Sequence, residues 1–233
     1  DEPLSREAAL FLASSVYFKG KWLDPFEKSA TRPRDFTLHT GQRVAVPMME
    51  RTGSMAYQRE PGYQMVRLPY RGGRVALYVI LPDSGAADSG VADALLQRFA
   101  EHGWPQSLGA AQMRDVHLML PKLRAELTLD LRPLLVALGA GVALDCQRAD
   151  FADLAVEREA DRPVALCVGR AVQRVYLDLD EEGTEAAAIT GLGMTNSSYP
   201  PPPIPFLVDR PFLFVLRDES SGADLFVGRI QRP

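Results

Sequence analysis

The chain of 233 residues lacks several features that would place it in a well-known class. Its two cysteines, Cys146 and Cys167, make no disulfide framework. We expect two buried thiols, although a bond between them and the cellular compartment both stay open. The 26 basic residues do not outnumber the 30 acidic ones, so no surplus exists to neutralise nucleic-acid phosphates. No apolar run reaches the roughly 18 residues of a membrane helix, since the best candidate, Ala8–Phe18, is shorter and contains serine.

Enzyme motifs are missing as well. The sequence has no Gly-x-Ser-x-Gly, no phosphate loop, no His-Glu-x-x-His and no Cys-x-x-Cys. The histidines stand in unrelated settings, which favours surface or strand positions over a metal site: His39, His102 and His117. Four acidic residues close a predicted strand: Asp178, Asp180, Glu181 and Glu182. We interpret them as a solvated strand end, because hard cations need oxygen ligands from several segments. The sequence therefore predicts a protein that is not an enzyme and holds no metal or cofactor.

Apolar periodicity predicts more strands than helices. The segment Ala9–Phe18 is almost continuously apolar, which is typical of a strand buried on both faces. Further strands are predicted at Arg43–Met48, Val75–Leu81, Val116–Leu120 and Val175–Leu179, with a closing hairpin of Phe212–Leu216 and Leu225–Ile230. Helices are predicted at Val91–Glu101, after Ser89, and at Leu131–Leu138, between Asp130 as cap and Gly139 as stop. Because strands and helices do not alternate regularly, the fold class is α+β.

One long segment, Glu181–Pro205, fits no element and ends in a run of prolines. Long connections of this kind are usually functional or disordered. With a period of two, the small residues Thr184, Ala186 and Ala188 share one face of the segment. A strand with such a face could enter between two existing strands without overpacking. Alanine is a poor strand former, however, so an alanine-rich linker or a helix remains an alternative.

Four stretches resemble signatures of the serpin family, in the family's order. They are Val16–Trp22 with Pro25 and Phe26, Val46–Met49, the hinge-like Glu181–Ala188, and the closing Pro211–Phe214 with Leu225–Arg229. The likeness covers essentially all 233 residues. It implies a multi-sheet, β-rich serpin fold with surrounding helices and an exposed reactive-centre loop over residues 181–205. It also implies that residues 1–233 are the carboxy-terminal portion of a single serpin domain, without its helical amino-terminal half. The abrupt apolar start after Asp1 agrees with a segment of a longer chain.

The resemblance implies a serine protease inhibitor that acts as a suicide substrate. Cleavage of the loop would form an acyl-enzyme, and the cut loop would enter the large sheet between Ala9–Phe18 and Cys167–Asp180 as a new strand. The hinge would comprise Glu181, Glu182, Gly183, Thr184, Glu185, Ala186, Ala187 and Ala188. Family spacing places the reactive bond at Ser197–Ser198, while Met194, Asn196 and Tyr199 stay open as alternatives.

The resemblance also implies a sheet-opening region formed by Trp22, Lys122, Ser14 and Gln173, with Glu181 beside Lys122. Ser14 stands where the family usually has Asn, and Gln173 where it often has His. The implied partner is an elastase-like or subtilisin-like serine protease, or a chymotrypsin-like one if Tyr199 is used. The complete protein would be a monomer that can polymerise by loop insertion, and family resemblance favours a secreted location. The alternative is a non-inhibitory serpin that acts as a carrier or chaperone.

Overall fold

A computed structural model describes residues 10–83, 89–102, 111–151, 166–182 and 201–233. Its strands are β1 (Leu10–Phe18), β2 (Arg32–Thr37), β3 (Arg43–Glu60), β4 (Tyr63–Pro69), β5 (Val75–Pro82), β6 (Gln112–Pro121), β7 (Leu123–Asp130), β8 (Val168–Leu179), β9 (Ile204–Leu207), β10 (Phe212–Asp218) and β11 (Ala223–Ile230). Its helices are α1 (Ser89–His102) and α2 (Arg132–Ala137), with 3-10 turns at Lys28–Ala30 and Gly141–Leu144. No helix within these ranges has the length and apolar character to cross a membrane.

The first of two compact units contains Asp1–Phe18 and Arg124–Asp178. Its described strands form one sheet in the order β1-β8-β7, in which β1 and β8 run parallel. The prediction that β1 is buried on both faces is wrong within this chain, since Phe11 is 48% exposed and Tyr17 61%. The reason is that β1 is an edge strand of this sheet, and the described residues of the unit leave its apolar side chains uncovered.

The helix predicted after Asp130 is present as α2, and its end follows the expected chemistry. Gly139 has a φ of 83°, and its N–H donates to the Val136 carbonyl. The Ala140 N–H donates to the Leu135 carbonyl, which completes a Schellman motif that glycine makes without strain. At the start, Asp130 Oδ1 accepts the Arg132 N–H at 3.0 Å, although the N-cap position itself is Leu131.

The expectation of two buried thiols is wrong, because Cys146 and Cys167 are joined by a disulfide bond. Cys167 immediately precedes β8, and its carbonyl accepts the N–H of Leu10 in β1 at 3.3 Å. Cys146 lies just beyond the 3-10 turn that follows α2. The fold brings the two residues to a Cα–Cα distance of 4.7 Å, which lies in the range a disulfide requires. Their separation of 21 residues in sequence gives no sign of this proximity.

The second unit, Lys19–Leu123 and Leu179–Pro233, is built on an eight-stranded sheet. The strands follow the order β11-β10-β5-β4-β3-β6-β9, and β2 pairs with β3 off this path. Helix α1 packs against the sheet through Leu95 and Phe99, as its spacing predicted, while Ala92 is buried beside them in place of the predicted Val91, which is only partly buried. They join a buried cluster with sheet residues that include Tyr63, Met65, Tyr78, Ile80, Leu213 and Val215. This cluster is a main core of the unit.

Strand β3 is much longer than the alternating stretch that predicted it. The sequence supports a strand over Arg43–Met48, but β3 continues to Glu60. Its first part pairs with β2, its middle with β6 and its end with β4. The polar stretch around Gly53 hides this continuity, because a glycine inside a strand weakens its intrinsic preference. Partners on both sides supply the hydrogen bonds that override that preference.

The closing hairpin of β10 and β11 agrees with the sequence prediction. At its turn, Asp218 accepts hydrogen bonds from the Ser220 hydroxyl at 2.6 Å and from Arg74 Nη2 at 2.6 Å. Gly228 is paired with Phe214, and the ring of Phe214 occupies the space that a Cβ at Gly228 would need. The glycine in the closing signature is therefore required by close packing against an aromatic ring.

Candidate functional site

The candidate site begins where the chain leaves β8, at Asp180–Glu182. The Asp180 carbonyl accepts a hydrogen bond from Trp22 Nε1 at 2.8 Å. The Glu181 carbonyl accepts the N–H of Phe26 at 3.0 Å. Both donors belong to the segment that carries the first family-like signature, so this segment holds the backbone at the start of the predicted loop. We call Asp180–Glu182 and its contacts the anchor.

The side chain of Glu181 is the best-connected part of the anchor. Its Oε2 accepts a hydrogen bond from Lys122 Nζ at 2.7 Å, and its Oε1 accepts one from Thr31 Oγ1 at 2.8 Å. Glu181 is only 5% exposed. Burial raises the pKa of this carboxyl, but the hydrogen bonds from Lys122 and Thr31 outweigh burial and hold the pKa below its ordinary value. The contact expected between Glu181 and Lys122 is therefore present, with Glu181 ionised at neutral pH.

Glu182 completes the anchor near the surface. Its carboxylate forms an ion pair with Lys28, and its N–H donates to Asp180 Oδ1 at 3.0 Å. The hydrogen bond from Lys28 lowers the pKa of Glu182. The interpretation of these acidic residues as a solvated strand end is therefore wrong for Glu181, which is buried, while Glu182 is partly exposed. No group of three or more metal-ligating side chains forms a metal site among the described residues.

Aromatic rings pack around Trp22, whose indole N–H binds the anchor. Trp22, which is 2% exposed, stacks on Tyr70 with ring centroids 4.3 Å apart. The rings of Phe26 and Trp22 are nearly perpendicular, with centroids 6.2 Å apart. Burial raises the pKa of the Tyr70 hydroxyl far above its ordinary value, so the ring stays neutral. These rings fix the indole N–H that holds the Asp180 carbonyl.

Sequence reasoning missed Thr31, Lys28 and Tyr70 as parts of this arrangement. Each lies far from Glu181 in sequence, at a separation of 150 residues for Thr31 and 154 between Lys28 and Glu182. Lys28 begins a short 3-10 turn that has no apolar periodicity, and Thr31 follows this turn directly. The sequence signal near Lys28 and Thr31 was the pair of bulky apolar residues Trp22 and Phe26, which indicated that this part of the chain packs against the core.

A separate candidate site is the boundary between β1 and β8, in the first unit. The two strands pair in continuous register from Phe11 opposite Arg170 to Phe18 opposite Leu177, and the register shifts by one residue between Phe11 and Leu10, which pairs with Val168. Ser14 lies directly opposite Gln173. The structure thus brings these two residues of the predicted sheet-opening region together as cross-strand neighbours, and their role in opening stays a prediction.

The remaining predicted site residues lie outside the described part of the chain. These are Gly183, Thr184, Glu185, Ala186, Ala187, Ala188, Ser197 and Ser198, with the alternatives Met194, Asn196 and Tyr199.

At its carboxyl end, the predicted loop of residues 181–205 is shorter than expected. Ile204 and Pro205 already belong to β9, where they pair with Val116 and His117 of β6. His117 lies within β6, as the strand interpretation expected, and its Nε2 lies 2.8 Å from Glu50 Oε1.

Comparison with known proteins gives a consistent result. A family profile described as serpin (serine protease inhibitor) matches residues 1–233. Human serpin B9 is 30% identical over 233 residues, which are 99% of this chain and 60% of that protein. Rat glia-derived nexin is 31% identical, over 96% of this chain and 55% of the relative. The matched family is one of protease inhibitors, so the prediction of a protein that is not an enzyme is confirmed.

Solved structures agree on the fold. Native protease nexin-1 with heparin matches at 29% identity and a TM-score of 0.72, over 94% of this chain and 56% of that one. Serpin48 of the insect Tenebrio molitor matches at 27% identity and a TM-score of 0.76, over 98% and 57%. The thermophilic serpin tengpin in its native state, at 24% identity and a TM-score of 0.77, supports the fold alone. The chain spans a little more than half the length of these relatives, and the predicted α+β serpin fold is confirmed.

Proposed function

The chain belongs to the serpin family of serine protease inhibitors, and we propose that the complete protein traps a serine protease with the loop that follows the anchor. Within that protein, residues 1–233 would be the carboxy-terminal portion of a single serpin domain. The observation that carries the proposal is the course of the chain at β8. Strand β8 is the direct neighbour of β1, and the chain passes from its end at Leu179 directly into the anchor, which the small-residue segment follows in the sequence.

The proposed chemistry is an acyl transfer that stops halfway. The protease serine attacks the carbonyl carbon of Ser197 and forms an ester, while the amine of Ser198 leaves with a proton supplied by the protease histidine. Hydrolysis of that ester would free the enzyme. Insertion of the cut loop into the sheet moves the attached protease before hydrolysis occurs, and this is the step that distinguishes an inhibitor from a substrate.

The geometry of β1 and β8 suits such an insertion. Both strands point in the same direction, and the chain leaves β8 at its carboxyl end. A loop that folds back from this end would run antiparallel to both strands. It would replace one parallel ladder by two antiparallel ladders, so every backbone group separated by the opening regains a partner. The small face of Thr184, Ala186 and Ala188 meets the demand that an inserted strand must not overpack.

The anchor supplies the fixed point for this movement. Asp180, Glu181 and Glu182 are held by side chains from the Trp22–Thr31 segment and by Lys122. Gly183 follows at once and has the backbone freedom that a sharp bend needs. We infer that the loop turns at Gly183 while the anchor remains in place.

The proposed target follows from the reactive bond. A small residue before the cut favours an elastase-like or subtilisin-like protease, because the pocket that receives this residue sets the specificity of the enzyme. The first experiment mixes the complete protein with a panel of such proteases and a chymotrypsin-like one. We expect a covalent complex that survives a denaturing gel and a released peptide that begins at Ser198. A peptide with another first residue rejects the bond, and absence of any complex across the panel rejects the function.

A pair of variants separates trapping from simple cleavage. Thr184→Arg requires a charge to be buried as soon as insertion begins, which costs several kcal/mol, but it leaves the uncut loop unaffected. We expect this variant to be cut at a nearly normal rate and to release active protease. Glu185→Arg is the matched control, because alternation along an inserted strand would place its side chain on the opposite, outward face, and it should inhibit almost as well as the parent. Equal trapping by both variants would rule out insertion of this face.

A further inference from the structure

One face of the β1–β8 boundary carries an aromatic contact at the end where the chain leaves the sheet. Tyr17 and Tyr176 are register partners, and their rings stack with centroids 5.2 Å apart and planes 18° from parallel. The guanidinium carbon of Arg124, from the start of β7, lies 5.6 Å from the centroid of the Tyr176 ring. Three adjacent strands therefore contribute one side chain each to a single continuous stack.

Between its two ends, this face of the boundary carries no aromatic side chain. Side chains alternate along a strand, so the partners on this face are two residues apart. The pairs in the middle are Ala13 with Val172 and Ser15 with Arg174. At the other end of the boundary, the Arg170 guanidinium lies 5.8 Å from the Phe11 ring. Ring contacts across the boundary are thus placed at its two ends.

We propose that Tyr17, Tyr176 and Arg124 form a clasp that sets the rate at which the β1–β8 boundary opens. This inference rests on the proposed function, since it concerns the first step of loop insertion. A strand placed between β1 and β8 moves them from one strand spacing to two, from about 4.8 Å to about 9.6 Å. The stack of Tyr17 on Tyr176 cannot persist at that separation, so it must break before a loop residue enters.

The position of the clasp makes it the first barrier rather than the last. A loop that returns from the carboxyl end of β8 meets Tyr176 and Tyr17 before it meets Gln173 and Ser14. The contact of Phe11 with Arg170 is reached only when insertion is nearly complete. An aromatic stack supported by a cation shifts an opening equilibrium by roughly three- to tenfold. Loss of the clasp should therefore accelerate the start of insertion by a similar factor.

The test supplies the inserted strand from outside, so it needs no protease. A fluorescently labelled peptide with the sequence of residues 184–196 is added to the complete protein, and its initial rate of incorporation is followed on native gels. Tyr17→Leu should take up the peptide roughly fivefold faster than the parent, because the stack is lost. Tyr17→Phe keeps the ring and should retain the parent rate. Phe11→Leu removes a contact of the same kind at the far end and should leave the initial rate unchanged.

Tyr176→Leu removes the same contact from the β8 side and must give the same acceleration, which guards against an effect particular to β1. If Tyr17→Leu and Tyr176→Leu take up the peptide at the same rate as the parent, the clasp is overturned and the proposed function stays intact. Equal acceleration by Tyr17→Leu and Phe11→Leu also overturns it, because it would mean a general loosening of β1. If the parent neither takes up the peptide nor forms a covalent protease complex, the proposed function fails and the clasp fails with it.

Discussion

Reversal of the charge at Glu181 should loosen the anchor and promote polymerisation of the complete protein. The carboxylate accepts hydrogen bonds from Lys122 and Thr31 at 2.7 and 2.8 Å and is almost fully buried. Hydrogen bonds to a charged group contribute about 1.5–3 kcal/mol each. The Lys122 side chain is 38% exposed, so solvent screens its pair and the lower end of that range applies. Glu181→Gln should then cost about 1–2 kcal/mol, and Glu181→Lys about 3 kcal/mol because repulsion from Lys122 is added.

The assay is the fraction of monomer on size exclusion after mild heating. Polymer should increase in the order parent, Glu181→Gln, Glu181→Lys, because a freed hinge lets the loop of one molecule enter the sheet of another. Glu182→Lys is the matched control, since it changes the charge of the next residue, whose ion pair with Lys28 is solvent-exposed. It should have a far smaller effect.

The double variant Glu181→Lys with Lys122→Glu restores an ion pair of reversed polarity and should recover part of the monomer. Recovery should be incomplete because the hydrogen bond that the Thr31 hydroxyl donates to the Glu181 carboxylate is lost with a lysine at this position. The reasoning is refuted if heated Glu181→Lys forms no more polymer than the parent, or if Glu182→Lys polymerises to the same extent as Glu181→Lys. In the second case the net charge of the molecule, and not the anchor, would control the process.

Two further predictions concern stability. The free energy of unfolding should fall as pH drops below about 4.5, because hydrogen bonds hold the pKa values of Glu181 and Glu182 below their ordinary value of 4.5. The same holds for Glu219, which accepts hydrogen bonds from Arg67 and from the Tyr78 hydroxyl. The contribution of these carboxylates to stability is complete above the unfolded-state pKa and is lost as pH falls through the folded-state pKa. Urea unfolding at several pH values measures this loss of stability. Glu181→Gln should make the free energy of unfolding depend less on pH. Cys146→Ser should cost about 3 kcal/mol in urea unfolding, since the disulfide closes a loop spanning 21 residues. Reduction of the parent by a dithiol should have the same effect, and unchanged stability in both experiments would contradict the bond.

Local pattern was sufficient for elements whose environment is set by their immediate neighbours. Helix α1 presents Leu95 and Phe99 to the core at helical spacing. Gly139 ends α2 because glycine adopts the positive φ of this position at a low energetic cost. The hairpin of β10 and β11 follows in the same manner from two apolar runs and a short polar turn. In each case the residues that determine the structure lie within one or two turns of the chain.

Features that depend on distant partners could not be predicted in this way. Strand β3 continues past Gly53 only because β6 and β4 pair with it, and Cys146 reaches Cys167 only through the fold of the first unit. The contact of Glu181 with Lys122 was predicted only from the family resemblance. The contacts of Thr31 and Lys28 were not predicted, because these residues lie in a segment without apolar periodicity. The exposure of β1 reverses a sound inference from composition, because an apolar strand is buried only where another layer covers it.

The energetics of insertion explain why the anchor and the clasp should differ in their effects. The two new ladders return a partner to each backbone group of β1 and β8, whereas the stack of Tyr17 on Tyr176 is lost without replacement. The clasp therefore stabilises the uncut protein alone. Tyr17→Leu should lower the melting temperature of the uncut protein and leave that of the cleaved, inserted form unchanged. An equal decrease in both forms would mean that the ring stabilises β1 itself and not its boundary with β8.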